Sequence, residues 1–183
     1  MPRVEVKNLG ALEGHEDEVT CLSWSPDGRY LASSSYDRSV KVWDVGRKSV
    51  VRVFRRHRYP VEYVAWSPNG RYIASGSIDR VIRIWNWELG AKRAKIVRDL
   101  REFKGRPYRM IWSYDSRYLA VDIGDVFVYD VRRGRFVSSF RCSSGLMPYY
   151  FFWLPNSYRI IGQCENDVVV WDVLSGVVLE SFR

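Results

Sequence analysis

The chain has 183 residues, 46% of them hydrophobic and 15% aromatic, enough for a sizeable core, and no stretch is polar or Pro/Gly-rich enough to be a long linker. Its 29 basic residues against 21 acidic ones leave a net charge of +8, which favours an acidic partner without naming one. The first residues carry no apolar signal region and the longest nearly apolar run, 146–155, is about half of a bilayer-spanning helix, so a soluble cytoplasmic protein with no membrane association is expected.

Cys21, Cys142 and Cys164 are odd in number and scattered, with no CxxC pair. Reduced thiols packed as small hydrophobes are therefore expected, and neither a disulfide framework nor a zinc knuckle. Gln163 is the only glutamine and arginine is abundant, a composition that suits a heat-adapted organism.

In chain order, Val19–Trp24 reads as a strand that runs into Ser25-Pro26-Asp27-Gly28, where proline presets φ and glycine accepts a positive φ. Tyr30–Ser35 and residues 39–43 are short β-branched and aromatic runs separated by Tyr36-Asp37-Arg38, which predicts a tight hairpin. A charged outer strand, Ser49–Phe54, follows. The apolar positions Val19, Leu22 and Trp24 are spaced three and then two apart, as are Val61, Val64 and Trp66. A strand of period two cannot hold all three on one face without a bulge.

The same device recurs along the chain. Trp24, Trp66, Trp112 and Trp153 advance by 42, 46 and 41 residues, and Trp43, Trp85, Tyr129 and Trp171 by 42, 44 and 42. Ser67-Pro68-Asn69-Gly70 repeats the first turn, and Ser113–Ser116 and Leu154–Ser157 keep weaker forms. Further outer strands are expected within 92–103, 135–140 and 177–182. Units of this length cannot bury an apolar face alone and must stack on their neighbours. The expected fold is all-β: four four-stranded antiparallel meanders in one domain over 1–183, with repeats at about 7–48, 49–90, 91–134 and 135–176 and a last outer strand at 177–183.

Gly14-His15, Ser25-Pro-Asp-Gly28, Leu31-Ala-Ser33, Asp37 and Val42-Trp43-Asp44, then Arg56-His57, Ser67-Pro-Asn-Gly70, Ile73-Ala-Ser75, Asp79 and Ile84-Trp85-Asn86, resemble the WD40 repeat family. His to Asp is 22 residues in both copies, and Asp to Trp is six in both. The resemblance implies propeller blades and a hydrogen-bonded tetrad in each of the two copies: His15, Ser33, Asp37 and Trp43, and His57, Ser75, Asp79 and Trp85. Each buried polar group of a tetrad serves another that would otherwise be unsatisfied. The later copies depart from the pattern. There is no histidine around Phe103-Lys104, Tyr129 replaces the tryptophan, and Ser143-Ser144 stands where Gly-His belongs, so packing is expected to hold those blades.

Four sets of inner strands lie at the lower limit for a propeller. Two half-rings pairing head to tail into an eight-blade dimer are preferred, with a small closed four-blade ring and a share in a larger split protein as the alternatives. Residues 7–12 align with a fifth outer strand, surplus in a closed ring. The aromatic run 148–155 reads either as the innermost strand of the fourth blade, buried on both faces, or as a chain-to-chain contact.

Meander topology sorts the loops onto two rims. On one lie Glu16, Asp17, Glu18, Tyr36 and Arg38, then Arg58, Tyr59, Ile78 and Arg80, then Arg106, Tyr108 and Arg109. Tyr and Arg are the residues that interface hot spots favour, so these are the candidates for binding a protein partner. The opposite rim is basic, with Arg29, Arg71, Arg117 and Arg159 after the first strands and Arg47, Lys48, Lys92, Arg93, Lys95, Arg132, Arg133 and Arg135 around the later turns. It reads either as a patch for phosphate backbone or an acidic surface, or as a solvated face. With both histidines placed in tetrads and no Walker loop, GxSxG elbow or HExxH, no enzyme activity, metal or cofactor is expected. A protein-interaction scaffold is the leading functional expectation, and a basic module associating with nucleic acid or ribonucleoprotein is the alternative.

Overall fold

A computed structural model describes residues 10–87, 95–101, 105–142, 145, 148 and 150–183. Among these, sixteen strands form four sheets of four, each an antiparallel meander in sequence order. Blade 1 is β1 (Val19–Trp24), β2 (Tyr30–Ser35), β3 (Val40–Asp44) and β4 (Ser49–Phe54). Blade 2 is β5 (Val61–Trp66), β6 (Tyr72–Ser77), β7 (Ile82–Asn86) and β8 (Lys95–Leu100). Blade 3 is β9 (Arg109–Trp112), β10 (Tyr118–Asp122), β11 (Val126–Asp130) and β12 (Arg135–Phe140). Blade 4 is β13 (Phe151–Trp153), β14 (Arg159–Cys164), β15 (Asp167–Asp172) and β16 (Val177–Phe182). Residues 7–9, Phe103-Lys104, Ser143-Ser144 and Tyr149 lie outside the described residues, and residues 10–12 form no strand.

The local causes are visible in the turns and bulges. Ser25 Oγ donates to Asp27 at 2.5 Å, its backbone N–H bonds the Tyr30 carbonyl, and Gly28 takes φ 69, closing the β1–β2 turn. The pairing of β1 with β2 slips between Val19 and Cys21, and that of β5 with β6 between Val61 and Tyr63. That bulge brings Val61, Val64 and Trp66 onto one face, where they pack with Tyr30, Val40, Val42 and Phe54 of blade 1. The core is divided accordingly into one cluster per joint, between blades 1 and 2, 2 and 3, and 3 and 4.

Two expectations about the ends of the fan are corrected. The chain does not close into a small four-blade ring: Val19, Leu22 and Trp24 of blade 1 are 51%, 58% and 54% exposed, whereas their counterparts Val61, Val64 and Trp66 are 0%, 2% and 7% exposed. The aromatic run is not buried on both faces either. Phe151 is fully buried against blade 3, but Phe152 is 52% exposed, because blade 4 has no following blade in the chain.

In blade 1, Trp43 Nε1 donates to Ser33 Oγ at 2.7 Å, His15 Nε2 lies 2.6 Å from the same hydroxyl, and His15 Nδ1 lies 2.7 Å from Asp37 Oδ2. A carboxylate only accepts, so Nδ1 carries the proton and the hydroxyl of Ser33 donates to Nε2. The chain of donors runs Trp43, Ser33, His15, Asp37. Blade 2 has the same residues in place, with Trp85 Nε1 at 2.8 Å and His57 Nε2 at 2.7 Å from Ser75 Oγ, and Asp79 Oδ2 at 3.3 Å from His57 Nδ1. Arg83 changes its direction. Its Nη1 sits 2.6 Å from His57 Nδ1 and 3.2 Å from Asp79 Oδ2. A guanidinium is always a donor, so Nδ1 accepts, the imidazole is neutral, and Nε2 donates to Ser75. The corresponding cation of blade 1, Lys41, bonds the Gly14 carbonyl and lies 3.6 Å from Asp37, leaving His15 Nδ1 to the carboxylate.

Burial pushes the His57 imidazole below its ordinary range; Arg83 adds to this while Asp79 opposes it. Burial raises the carboxyls of Asp37 and Asp79, but hydrogen bonds outweigh it and hold both well below the usual carboxylate range. These come from Ser39, His15 and the Glu16 N–H for Asp37, and from the N–H groups of Arg58 and Val81 for Asp79, which Arg83 also bonds.

Blades 3 and 4 are held differently. Tyr129 packs edge to face on Phe136, with ring centroids 5.3 Å apart. In blade 4, Gly162 stands where the earlier blades have Ser33 and Ser75, and a Cβ there would come within 2.6 Å of the Trp171 ring, which fills the space. The expectation of three reduced thiols is corrected, because Cys142 and Cys164 form a disulfide with Cα atoms 5.5 Å apart and Cys21 alone is free. Cys164 ends β14 as Ser35 ends β2 and Ser77 ends β6. Those serines donate to the carbonyls of Asp17 and Tyr59 in the preceding loops, at 3.1 and 3.0 Å. A covalent bond from hairpin to loop thus replaces a hydrogen bond in blade 4, one of the two blades without a histidine latch.

Three outcomes follow from this geometry. Nitrogen-15 NMR of the imidazoles at pH 7.5 will find His15 protonated on Nδ1 and His57 on Nε2, and Arg83→Lys will weaken the preference at His57. Because the folded pKa of His57 lies below its ordinary 6.5, the unfolded chain takes up the proton first as pH falls. The stabilisation is complete above about pH 6.5 and is lost below it, with a further loss under about pH 4, where the unfolded chain protonates Asp37 and Asp79 before the folded one does. The thermal midpoint will therefore fall between pH 7 and 5, and less steeply in His57→Gln. Reduction, or Cys142→Ser, will lower unfolding stability by about 2–4 kcal/mol in denaturant titration, the range for closing a loop of this size, while Cys21→Ser will change it little.

Candidate protein-docking rim

The latches fix one rim of the fan. Asp37, which holds the His15 imidazole, and Asp79, linked to His57 through Arg83, also accept the backbone N–H of Glu16 and of Arg58, each at 3.2 Å. The loop entering each blade and the hairpin tip of the same blade are thereby tied at one point. Tyr36 N–H bonds the Glu18 carbonyl and Ile78 N–H bonds the Pro60 carbonyl, completing the tie. Side chains on this rim thus project from a braced backbone, which lowers the entropy lost when a partner engages them.

The hairpin tips carry an unusual feature. Arg38 and Arg80 occupy the same position in the first two blades and take φ 65 and φ 60, the left-handed region, where glycine or asparagine is the low-cost choice. Both arginines are exposed, and around them Tyr36, Tyr59 and Tyr108 are 38%, 57% and 56% exposed. Between blades 1 and 2, Glu16, Asp17, Tyr36, Arg38 and Arg55 line an open cleft of about 470 Å³ with His57 and Asp37 at its floor. Arg55 and Glu16 pair across it at 3.5 Å, and Arg106 joins Glu62 between blades 2 and 3. Arg58 is exposed beside this cleft and Ile78 is half-buried. Arg109 belongs elsewhere. Its guanidinium lies 4.7 Å from the Phe152 ring and 5.6 Å from that of Tyr150, so it packs on the aromatic strand of blade 4.

The basic rim is less available than its composition suggests. Asp44 and Asp130, both buried, accept the N–H of Arg47 and Arg133 at 3.0 and 2.8 Å and close the turns into the outer strands. The same carboxylates pair with Arg29 at 3.4 Å, Arg47 at 3.9 Å and Arg117 at 3.0 Å. Arg71, Arg98, Arg117 and Arg132 line a cleft of about 700 Å³ that Asp115 shares. Lys48, Arg135 and Arg159 are exposed. Lys92 and Arg93, and the side chain of Lys95, lie outside the described residues.

Sequence reasoning passed over Lys41 and Arg83, each four residues after its latch aspartate and two before its tryptophan, buried at 4% and 5% exposure. The signal was the alternation Val-Lys-Val-Trp and Ile-Arg-Ile-Trp, which puts the cation on the tryptophan's side of the strand.

Comparison with known proteins locates the family. The pattern of the WD domain, G-beta repeat, matches residues 6–44 and 48–86. Thirty-six residues are 58% identical to a probable cytosolic Fe-S cluster assembly factor of Schizosaccharomyces japonicus, covering 20% of this chain and 6% of that protein. WD repeat-containing protein 18 of Rattus norvegicus is 55% identical over 47 residues, or 25% of this chain and 11% of the relative. WD repeat-containing protein 1 of Gallus gallus is 46% identical over 46 residues, or 25% and 8%. The likeness therefore spans about a tenth or less of each relative and is a likeness of repeats. Residues 6–44 and 48–86 are thus WD40 repeats, and the four meanders of the chain are consistent with blades of that kind.

Proposed function

We propose that the chain is a non-catalytic cytoplasmic scaffold that docks a protein segment on the latched rim of blades 1 and 2. The observation that carries this reading is the pair Arg38 and Arg80. A left-handed arginine is about 1 kcal/mol or more worse than glycine at such a place, and it recurs in both latched blades next to exposed tyrosine. Backbone cost retained at an exposed position is the mark of a side chain needed for contact. The cleft between the two tips mixes Glu16 and Asp17 with Arg38 and Arg55, a polar and open surface suited to a peptide or domain edge and unlike an enclosed small-molecule pocket.

Ion pairing on the basic rim weighs in the same direction. Arg29, Arg47 and Arg117 each face a buried aspartate, which reduces the field that a phosphate backbone would meet. The cytosolic assembly factors among the relatives accord with a cytoplasmic scaffold.

The double variant Arg38→Gly, Arg80→Gly separates function from fold. It will raise stability by about 0.5–1 kcal/mol per site and weaken capture of the partner, measured with protein eluted from wild-type chain, by tenfold or more. Unchanged capture would remove the rim from the reading. Salt-dependent retention on nucleic acid that is lost in Arg132→Glu, Arg133→Glu, Arg135→Glu would replace it with the basic-module reading.

A further inference from the structure

Consecutive blades meet by one repeated joint. On the side facing the next blade, the third and outer strands pair Val40 with Phe54, Ile82 with Leu100 and Val126 with Phe140, and none of the six is more than 4% exposed. Blade 4 places Val168 and Phe182 at the same pair, with 39% and 52% of each exposed. Nothing among the described residues covers them, yet the apolar identity is kept. Phe152 and Tyr150, 52% and 59% exposed, extend this surface along the inner edge, and Tyr150, Phe152, Ile161 and Val168 together line an apolar cleft of about 410 Å³.

The opposite end of the fan bears the other half of the joint. Trp112 of blade 3 donates its indole N–H to the carbonyl of Ala65 at 3.1 Å and stacks on Tyr72 with ring centroids 6.1 Å apart. Trp153 of blade 4 does the same with the carbonyl of Ile111 at 3.2 Å and the ring of Tyr118 at 6.3 Å. In both cases the acceptor is the residue before the preceding blade's own tryptophan. Trp24 is the matching tryptophan of blade 1 and has no preceding blade. Its side chain stands exposed beside Leu22 and Val19. Trp66 departs from this pattern: its indole N–H bonds the Gly70 carbonyl at 3.3 Å and its backbone N–H the Ser23 hydroxyl at 2.9 Å. In blade 4 the acceptor matching Ala65 and Ile111 is the carbonyl of Phe152, and the place of Tyr72 and Tyr118 is held by Arg159, whose guanidinium lies flat on an indole as readily as a tyrosine ring does.

We propose that the occupant of each free face is a second copy of this chain: blade 4 of one copy seats blade 1 of the other, with Trp24 donating to the Phe152 carbonyl and lying on Arg159. The chain presents both halves of its own joint. Two copies related by a twofold axis therefore make two identical head-to-tail joints and close an eight-blade ring, within the range of closed propellers. Left uncovered, the two faces would be apolar patches of the kind that drive aggregation. This goes beyond the rim reading and does not rest on it.

Sedimentation of the wild-type chain will give twice 21.5 kDa. Trp24→Arg and Val168→Arg, both at positions exposed within the chain, will each sediment as monomers with unchanged β-sheet circular dichroism. An equimolar mixture of the two variants will associate again, because each retains the face that the other lacks. A wild-type monomer at 100 µM, species growing past the dimer with concentration, or a dimer that survives Val168→Arg would overturn the closed head-to-tail ring.

Discussion

A four-stranded meander of this kind buries nothing by itself, so each blade depends on the face of its neighbour. That constraint explains why the core comes as three clusters, one at each joint, and why the largest fully buried side chains, among them Trp85, Phe54, Phe151 and Trp171, sit at joints. It also explains the half-exposed residues. Leu22, Trp24, Phe152 and Phe182 are the same joint residues at the two places where the series stops.

Joints bury the sheets, but they do not set the loops. That is the task of the hairpin-to-loop ties, and the chain solves it in three ways. Blade 1 uses a proton chain ending on a carboxylate, and blade 2 uses the same residues with the proton chain reversed by a buried guanidinium. Blade 4 uses a covalent bond between the same two segments. A neutral His57 beside Arg83 avoids placing two cations in a dry site. Asp79 balances the guanidinium there, together with Asp99 3.7 Å from its far side.

How much of this was legible in the residues follows from what each feature leaves in sequence. The meanders and the bulge were legible because spacing encodes them: Val19, Leu22 and Trp24 cannot share a face unless the strand slips, and it does. The tetrad contacts are equally a matter of offsets, 22 and six residues repeated in two copies. The direction of the proton chain was not legible, since it depends on whether the cation two residues before the tryptophan bonds the imidazole, as Arg83 does, or turns to the Gly14 carbonyl, as Lys41 does. The disulfide was missed for a related reason. Cys142 and Cys164 look scattered along the chain, yet they are 22 residues apart, the separation of His15 from Asp37 and of His57 from Asp79. Repeat geometry, not cysteine spacing rules, brings them together.

A disulfide in place of a hydrogen bond changes what sort of cell suits the chain. In ordinary cytosol such a bond is kept reduced, and intracellular disulfides persist mainly in heat-adapted organisms. The composition leans the same way, with a single glutamine and arginine-rich surface pairs such as Arg101 with Asp99 at 2.7 Å and Arg141 with Asp125 at 2.6 Å. Blade 4 has the most to gain from such a bond. Its inner strand has only three residues, its Trp171 rests on Gly162 without a serine to bond, and its outer strand is exposed along its whole length. Heat would open that blade first. The tie between Cys142 and Cys164 holds the hairpin of that blade to its entering loop, buried in the cluster of the last joint within the chain.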